Sequence, residues 1–442
     1  MKRLPIFSFF RRGVKHYFSS KSLTDSEESI TTLATNASSD HPPNAMSKRC
    51  SEEFNRVRNH LGASMLPESL QSAISGLLAG YPRRQLRASV ASLSQASLQM
   101  TQISAKSLLD DKLQSEAIVQ YSAPSIEYGL DDVFAYIASQ MPFALAPLQR
   151  VLAEIKRLRP DFHPQSLLDF GCGPGTAVFA AKEEWPELTR IMAIDTSQPM
   201  LEVAKEMSSR LELGSGITWR RFMSVADDRP RYDLVTCSHT LAELGDDGLR
   251  AQAVEHLWNQ TEKVLVLIER GNAEGFRLIR NARQLLLQKF EKDLKILAPC
   301  PHHFECPMRG SWCHFAQRVQ LTSLQTELFN LPKGFEDQKF SYLVLERKAE
   351  PSTALPRLVR PPLKRSGHVI QDACMPEGSI QRFVVAKSAG AQVFYDARKS
   401  QWGDCWPHAI ETKKRLMEDM SKKPKDYPRR KLLNTSNKSK SK

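Results

Sequence analysis

Apolar residues in the first part of the chain recur at steps of three and four, the spacing that places side chains on one face of a helix. Leu70, Ile74 and Leu77 show this spacing within residues 51–158. A second run at 129–158 has the same period and enough apolar residues to cover one face of a neighbouring domain. We therefore predict that residues 51–158 form a helical region that packs on the domain that follows.

The pattern changes at about residue 159, where short β-rich runs begin to alternate with helical segments. This alternation predicts an α/β domain over residues 159–348, with a parallel sheet and crossover helices. The strands are predicted at 166–170, 190–194, 217–221, 234–237, 264–268 and 340–345. Beyond this domain, β-like runs at 382–386 and 392–395 predict a small, basic β module over residues 349–410.

Neither end of the chain has the sequence pattern of a folded domain. Residues 1–24 hold six Lys or Arg and no acid, the pattern of a mitochondrial transit peptide, and 25–50 read as a disordered linker. Residues 411–442 are rich in lysine and predict a disordered basic tail. Because no apolar run approaches about 20 residues, we expect no membrane partner. The transit-peptide pattern predicts that the protein is located in the mitochondrial matrix.

The net charge of +13 is concentrated at these ends, with +6 in residues 1–24 and +8 in 411–442. Residues 347–399 carry a further local excess of +6. A nucleic acid would be attracted by such a basic region, although solvated, scattered charges would give the same count. The residues that we expect to contact RNA are Arg357, Arg360, Lys364 and Arg365.

A glycine-rich loop follows the first predicted strand, in the run Leu-Leu-Asp-Phe-Gly-Cys-Gly-Pro-Gly-Thr at 167–176. Glycines let the backbone turn sharply after Asp169 and let a ligand approach closely. A helix that starts near Thr176 would present its free N–H groups to that ligand. The loop therefore predicts a nucleotide-type site at Gly171, Gly173 and Gly175.

Asp195 closes the next predicted strand, about 20 residues beyond the glycines, where a carboxylate can hold two ribose hydroxyls. The sequence at 195–201 resembles the segment after the second strand of class I S-adenosylmethionine-dependent methyltransferases. The spacing Gly-x-Gly-x-Gly also differs from the Gly-x-Gly-x-x-Gly of nicotinamide-binding domains. We therefore predict a class I, Rossmann-like methyltransferase domain that binds S-adenosylmethionine.

In such a domain Asp169 would accept a hydrogen bond from the methionine ammonium group, and Asp227 would lie where adenine is contacted. A solvated turn acid is the alternative for Asp227. Base-methylating enzymes often carry Asn/Asp-Pro-Pro-Tyr/Phe after the fourth strand, and this chain lacks that sequence. His239 and Glu243, one helical turn apart, could move protons or form a surface pair. We assign no catalytic residue.

Three cysteines, Cys300, Cys306 and Cys313, lie in a predicted insertion at 299–315. Thiolates bind zinc or iron–sulfur clusters, and both commonly take four ligands, so Cys374 and Cys405 are candidates for the fourth. The spacing is unlike the Cys-x2-Cys pairs of structural zinc sites and unlike the Cys-x3-Cys-x2-Cys of radical enzymes. A zinc site remains an alternative, because His302, His303 and His314 could complete its ligand set. Cysteines that bind no metal are the other alternative.

Four pieces of the chain together resemble the mitochondrial small-ribosomal-subunit assembly family of methyltransferase-like protein 17 and its bacterial relatives. The pieces are 168–176, 269–276, 300–315 and 395–404. The resemblance implies a [4Fe–4S] cluster, with zinc as the alternative, held by Cys300, Cys306, Cys313 and Cys374. Cys374 is preferred for its place just before Pro376 and Gly378, since Cys405 has no counterpart. Such a cluster would staple the β module onto the methyltransferase domain.

The same resemblance implies the function and the partners. We expect a monomeric mitochondrial assembly factor that binds small-subunit ribosomal RNA and S-adenosylmethionine, and so supports mitochondrial translation. The alternative is an active ribosomal RNA methyltransferase, which the predicted donor site permits.

Overall fold

The computed structural model describes residues 30–33, 49–59, 61–108, 128–222, 231–332, 334–347 and 354–410. The predicted transit peptide, the basic tail and Asp227 lie outside the described residues. In the part that is described, no helix combines the length and the apolar character needed to cross a bilayer.

Helices form the N-terminal region, as the apolar periodicity predicts. They are α1 (Glu52–Val57), α2 (Glu68–Leu77), α3 (Arg83–Leu108), α4 (Leu130–Ser139) and α5 (Met141–Leu158). In α5 the side chains of Leu145, Leu148 and Leu152 recur at helical spacing and are all buried. This apolar stripe packs on the sheet domain, so the helical region is part of its core.

A mixed eight-stranded sheet forms the centre of the molecule. Its first part comprises β2 (Ser166–Phe170), α6 (Thr176–Glu184), β3 (Arg190–Ile194), α7 (Gln198–Arg210), β4 (Ile217–Arg220) and β5 (Tyr232–Ser238). Its second part comprises α8 (Asp247–Asn259), β6 (Thr261–Arg270), α9 (Ala273–Phe290), β7 (Leu294–Ala298), β8 (Phe315–Gln320), α10 (Ser323–Phe329) and β9 (Phe335–Arg347).

The strand order is β4-β3-β2-β5-β6-β9-β7, and β8 pairs with β9 outside this path. Strands β2 to β6 are mutually parallel, whereas β9 runs antiparallel to both β6 and β7. An antiparallel strand inserted between the last two parallel strands is the arrangement of the class I methyltransferase fold. The predicted fold class is confirmed.

The two faces of the sheet carry separate hydrophobic cores because neighbouring strand residues point to opposite sides. Leu167 packs in the core beneath α5 to α7, and Leu168 packs in the core beneath α8 and α9. Both faces are therefore covered, and the carboxyl ends of the parallel strands are left to form a site.

The sequence missed part of this sheet. Strands β7 and β8 were not predicted, and β9 is longer than the predicted run at 340–345 because its first half, from Phe335, pairs with β8. Exposed and half-buried positions alternate in that half of β9, which conceals it from a search for apolar runs. The cysteine-containing segment 299–314 is the connection between β7 and β8.

A second sheet forms the C-terminal module. It contains β10 (Arg357–Leu358), β11 (Leu363–Lys364), β12 (His368–Cys374) and β13 (Ile380–Ala386), and β12 and β13 form an antiparallel hairpin. Helix α11 (Ala391–Lys399) follows and packs on both strands of the hairpin. The core of the module includes Phe54 of α1, so the module also holds the start of the helical region.

Two predictions fail in this module. The run 392–395 was predicted as β but lies in α11, since a short apolar run does not distinguish a strand from a buried helix face. Residues Ile30–Leu33, within the predicted linker, form strand β1, which pairs in parallel with β13. Backbone pairing to an open sheet edge needs no apolar periodicity, so composition does not reveal it.

Candidate functional site

The glycine loop connects β2 to α6 at the carboxyl edge of the sheet. The backbone N–H groups of Gly171 and Cys172 both donate to the carbonyl of Ile194 in β3, at 2.8 and 2.9 Å. The three predicted glycines all have positive φ, and Gly175 precedes the first turn of α6. The turn is thus fastened to the neighbouring strand and delivers the chain directly into the helix.

Glycine is required at Gly171 and at Gly173 for different physical reasons. A Cβ at Gly171 would lie 2.1 Å from the Thr240 hydroxyl oxygen, so this position permits close contact with the segment after β5. A Cβ at Gly173 would meet no heavy atom of the described chain within 4 Å, although φ is +51°. Open space at Gly173 is what a ligand-facing backbone requires.

Asp195 follows β3 and ties the loop down. Its two carboxylate oxygens accept hydrogen bonds from the N–H groups of Gly173 and Ser197, each at 2.8 Å. Burial raises the pKa of Asp195, and these two backbone donors act against that rise. A carboxylate oxygen accepts more than one hydrogen bond, so Asp195 retains capacity for hydroxyl donors.

Asp169 lies in β2 and is 1% exposed. Its Oδ1 accepts from the Thr236 hydroxyl at 2.8 Å, whereas its Oδ2 is buried and has no hydrogen-bond partner among the described residues. Burial raises its pKa to about 7, the hydrogen bond from Thr236 opposes this, and the charge of Asp195 adds to it. A buried acceptor without a donor is costly, and a cationic ligand group would satisfy it.

The segment after β5 differs from the helical pair that the sequence suggested. His239 adopts φ +60° and donates its backbone N–H to Ile268, and a 3₁₀ turn, Leu241–Glu243, follows. Burial, with the charge of Arg270, lowers the pKa of His239 to about 4, so its imidazole is neutral near pH 7. Glu243 accepts from the Tyr128 hydroxyl at 3.3 Å.

Glu269 is a residue of this site that sequence reasoning did not assign. It is fully buried at the carboxyl end of β6, and one of its oxygens accepts from the backbone N–H of Leu241 at 2.8 Å. Burial raises its pKa to about 8. Glu269 therefore positions the 3₁₀ turn. The sequence feature that could have identified it as a site residue is its place in the run Glu269-Arg270-Gly271.

A separate cavity of about 40 Å³ lies between α9, the 299–314 segment and the C-terminal module. All four predicted ligands line it: Cys300, Cys306, Cys313 and Cys374. Cys374 is the last residue of β12, so it reaches the other three thiols from a different sheet. Cys405 is not part of the lining.

The electrostatics of the cavity show that these thiols face one another. Burial raises the pKa of Cys313 well above its usual value, and charge on Cys300, Cys306 and Cys374 would raise it further. Burial also raises the pKa of Cys300, while the positive charge of Arg283 opposes that rise. A cation in the cavity would therefore favour ionisation of Cys300 and Cys313.

The three histidines near the cysteines occupy different places. His302 lines the cavity and its Nε2 lies 3.3 Å from the sulfur of Cys374. His303 interacts with the backbone N–H of Ile296, and His314 stacks edge-on against Trp402. Throughout the described residues, no group of three or more His, Cys, Asp or Glu side chains is arranged to hold a single metal ion.

The predicted basic surface requires one correction. Arg357 is 3% exposed and pairs with Glu154 of α5, with 2.7 Å between guanidinium nitrogen and carboxylate oxygen. Burial alone would raise the pKa of Glu154, but Arg357 and Arg157 hold it below its usual value. Arg357 is therefore a buried joint between the module and the helical region, and RNA cannot reach it.

The other three predicted RNA contacts are exposed. Arg360 lies 3.6 Å from Asp372, whereas Lys364 and Arg365 project from the edge of the module. Arg398 of α11 donates to the carbonyl of Arg365 at 2.8 Å, so the exposed end of that helix adjoins these residues. Lys387 and Lys399 are also exposed. We name Lys364, Arg365, Lys387, Arg398 and Lys399 the basic patch.

Residues 130–407 match the family described as mitochondrial small ribosomal subunit Rsm22. The chain belongs to the Rsm22 family. The resemblance noted in the sequence is thereby confirmed, and the matched region includes the glycine loop, the four cavity cysteines and most of the module.

Two curated relatives of this Rsm22-family chain are similar over much of their length. The human mitochondrial ribosome assembly protein METTL17 is 33% identical over 287 residues, which are 62% of each chain. The Saccharomyces cerevisiae mitochondrial ribosome assembly protein RSM22 is 24% identical, over 66% of this chain and 69% of its own. Both are mitochondrial proteins, which confirms the predicted mitochondrial location.

A third relative, the Schizosaccharomyces pombe mitochondrial Rsm22-cox11 tandem protein 2, is 30% identical over 62% of this chain. The match spans 43% of that protein's length. This chain thus spans less than two thirds of the human and fission-yeast relatives.

Among solved structures, the N-methyltransferase NodS of Bradyrhizobium japonicum is similar with a TM-score of 0.30 and 15% identity, over 47% of this chain and 97% of its own. The magnesium protoporphyrin IX methyltransferase of Synechocystis has a TM-score of 0.30 and 13% identity, over 51% and 90%.

Proposed function

We propose that this chain is an assembly factor of the mitochondrial small ribosomal subunit. It would act in the matrix as a monomer and bind ribosomal RNA, S-adenosylmethionine and a [4Fe–4S] cluster. The family match carries the proposal because residues 130–407 include both the glycine-loop site and the cysteine cavity. The human and budding-yeast relatives, both named mitochondrial ribosome assembly proteins, support it.

The glycine-loop site fits S-adenosylmethionine. The unpartnered Oδ2 of Asp169 would accept from the methionine ammonium group, and Asp195 would accept from ribose hydroxyls while Gly173 and Ser197 hold it in place. When bound, S-adenosylmethionine supplies a cationic sulfonium with an activated methyl group. Asp169 and Asp195 would provide hydrogen-bond acceptors for this ligand, and the glycine loop would let it lie close to the backbone.

We propose that the chain binds S-adenosylmethionine without transferring its methyl group. An active ribosomal RNA methyltransferase is the alternative. The segment after β5 lacks a base-clamping sequence, and Glu269 uses one carboxylate oxygen to hold its 3₁₀ turn. Small-subunit RNA methylation should be mapped in cells that depend on the wild type or on an Asp169→Ala, Gly171→Arg variant. An unchanged map is expected. A methyl group that disappears only with the variant would establish the methyltransferase alternative.

The cysteine cavity fits a [4Fe–4S] cluster. In such a cluster each thiolate binds a different iron, so the four thiols that line the cavity would supply its four ligands. Chain purified without oxygen should contain iron and acid-labile sulfide in equal amounts and absorb visible light. A colourless protein with one zinc per chain would favour the zinc alternative.

The basic patch supports RNA binding through phosphate contacts. Burial lowers the pKa of Lys364, and the positive charges of Arg398 and Lys399 lower it further, so these three cations repel one another. Such crowding of like charge is relieved by a polyanion.

The patch is tested by neutralising Lys364, Arg365 and Arg398 together. Affinity for small-subunit RNA should fall, and the slope of log affinity against log salt should decrease by about one for each lost contact. Lys205→Gln on α7, an exposed lysine outside the patch, is the control and should change neither quantity. An unchanged salt slope in the triple variant would place the RNA site elsewhere.

A further inference from the structure

Arg283 of α9 is a buried cation in the wall of the cysteine cavity. It is 5% exposed and lines the cavity together with the four thiols. Its Nη2 donates to the carbonyls of His302 and Phe304, at 2.9 and 2.7 Å. Both carbonyls belong to the loop between Cys300 and Cys306, so Arg283 fixes the path of the chain between two of the thiols.

One donor of Arg283 has no acceptor. Its Nε is buried and has no hydrogen-bond acceptor of normal geometry among the described residues, while the Arg283 side chain lies within reach of the Cys300 thiol. Arg283 also forms no ion pair in the described ranges. A buried guanidinium that lacks a counter-ion and has an unmade hydrogen bond is destabilising unless a ligand completes it.

The second arginine of the cavity differs in this respect. Arg357 donates its Nε to the carbonyl of Pro299 at 3.1 Å, and its Nη1 donates to Glu154 and to the carbonyl of Gly403, both at 2.7 Å. Glu154 neutralises the charge of Arg357. Arg280 also lines the cavity but is exposed to water, so the buried positive charge that lacks a counter-ion is that of Arg283.

We propose that Arg283 is the positioning and charge-compensating residue of the cluster site, with its Nε–H donated to a sulfur of the cluster or of a ligating thiolate. This proposal rests on the proposed [4Fe–4S] cluster. A cluster with four thiolates is anionic and gains one more negative charge on reduction, so a buried cation beside it stabilises the reduced form. Hydrogen bonds to sulfur act in the same direction on the reduction potential.

The experiment compares purified full-length chains prepared without oxygen: the wild type, Arg283→Met, Arg283→Lys and the control Arg84→Met. Methionine keeps the length of the side chain without its charge, and lysine keeps the charge without the planar fork. Arg84 is an exposed arginine of α3 that does not line the cavity. The readouts are iron content, the midpoint potential from electron paramagnetic resonance during a redox titration, and the rate of iron loss in air.

Arg283→Met should have a more negative midpoint potential and should lose iron on the order of tenfold faster, the usual effect of removing a partner of a metal ligand. Arg283→Lys should keep a potential near that of the wild type but lose iron faster, because it cannot hold both carbonyls. Arg84→Met should match the wild type. A wild-type potential and rate of iron loss in Arg283→Met would overturn the proposal.

If Arg283→Met does not fold or binds no iron, Arg283→Lys decides the matter, and wild-type iron retention in that variant would overturn the proposal. A wild-type chain with zinc or without iron would instead overturn the proposed cluster, before any variant is compared. The two failures are thus distinguishable.

Discussion

At the scale of single residues, the carboxyl edge of the sheet concentrates acids whose pKa values are raised. Burial raises the pKa of Asp169 to about 7, that of Glu243 to about 7 and that of Glu269 to about 8. Such groups ionise at a cost, and a cationic ligand reduces that cost. The site is therefore better suited to S-adenosylmethionine than to an anionic nucleotide.

Replacing Asp169 by Asn should weaken S-adenosylmethionine binding by about 1.5–3 kcal/mol, the range for a hydrogen bond to a charged group. In the wild type, affinity should rise as pH increases from 6 to 8, because the ligand's ammonium favours ionised Asp169. The variant should lose that slope. Calorimetry at several pH values measures both effects, and equal slopes would remove Asp169 from the ligand site.

The same pKa shift predicts how the stability of the unliganded chain varies with pH. Between about pH 4 and 7 the unfolded chain ionises Asp169 while the folded chain keeps it protonated, so stability falls as pH rises through this window. Asp169→Asn should show a shallower decline in the free energy of unfolding. Glu269→Gln is the companion variant, since burial raises the pKa of that acid as well.

Gly171 and Gly173 should respond differently to alanine. Both substitutions place a Cβ at positive φ, which costs roughly 1–2 kcal/mol, but only the Cβ at Gly171 also collides with Thr240. Gly171→Ala should therefore lower the free energy of unfolding more than Gly173→Ala does. Gly173→Ala should chiefly weaken ligand binding, since its Cβ enters open space. Urea unfolding and calorimetry test the pair.

At the scale of elements, the secondary-structure predictions that failed concern helices and strands that are short or exposed. The helix α11 buries Asp396, whose oxygens accept from the backbone and side chain of Ser51, at 3.0 and 2.6 Å. That contact spans most of the chain, so no local pattern announces it. By contrast, β2 and β3 are mostly apolar, buried strands whose predicted bounds match the structure, and the predicted run 234–237 lies within β5.

The joint between β10 and α5 gives a test at this scale. Arg357→Met leaves Glu154 buried without its main cation and should destabilise the chain by about 3–5 kcal/mol. The exposed Arg360→Met on the same module should change stability by no more than about 0.5 kcal/mol. Thermal unfolding of both variants measures the difference. Equal effects would show that the buried pair does not hold the module in place.

At the scale of the whole molecule, the cysteine cavity lies where three parts of the chain meet. Cys374 comes from the module, Arg283 from the sheet domain, and Arg357 links the cavity to the helical region through Glu154. A bound cluster would therefore add a cross-link beside the small apolar contact around Phe276 and Met308 and the buried Arg357–Glu154 pair.

Removing the proposed cluster should loosen the module while the central sheet stays protected. In hydrogen exchange, Cys374→Ser should show faster exchange in β10 and β12 and unchanged exchange in β5 and β6. Cys405→Ser, which alters a buried cysteine outside the cavity, should leave β12 as protected as in the wild type. Faster exchange across the central sheet in Cys374→Ser would mean that the cluster supports the domain core instead.

Local pattern and spacing were sufficient for the helices, the parallel strands, the glycine loop and Asp195, because each depends on residues close together along the chain. Three other features depend on contacts between segments that are distant along the chain. They are the role of Glu269 at the site, the buried charge of Arg283 and the burial of Arg357. The three-dimensional packing placed Cys374 beside Cys300, Cys306 and Cys313, which resemblance had implied and spacing could not show. The same packing removed Arg357 from the RNA surface, because a charge opposite a buried carboxylate is held inside and one at a sheet edge stays in water.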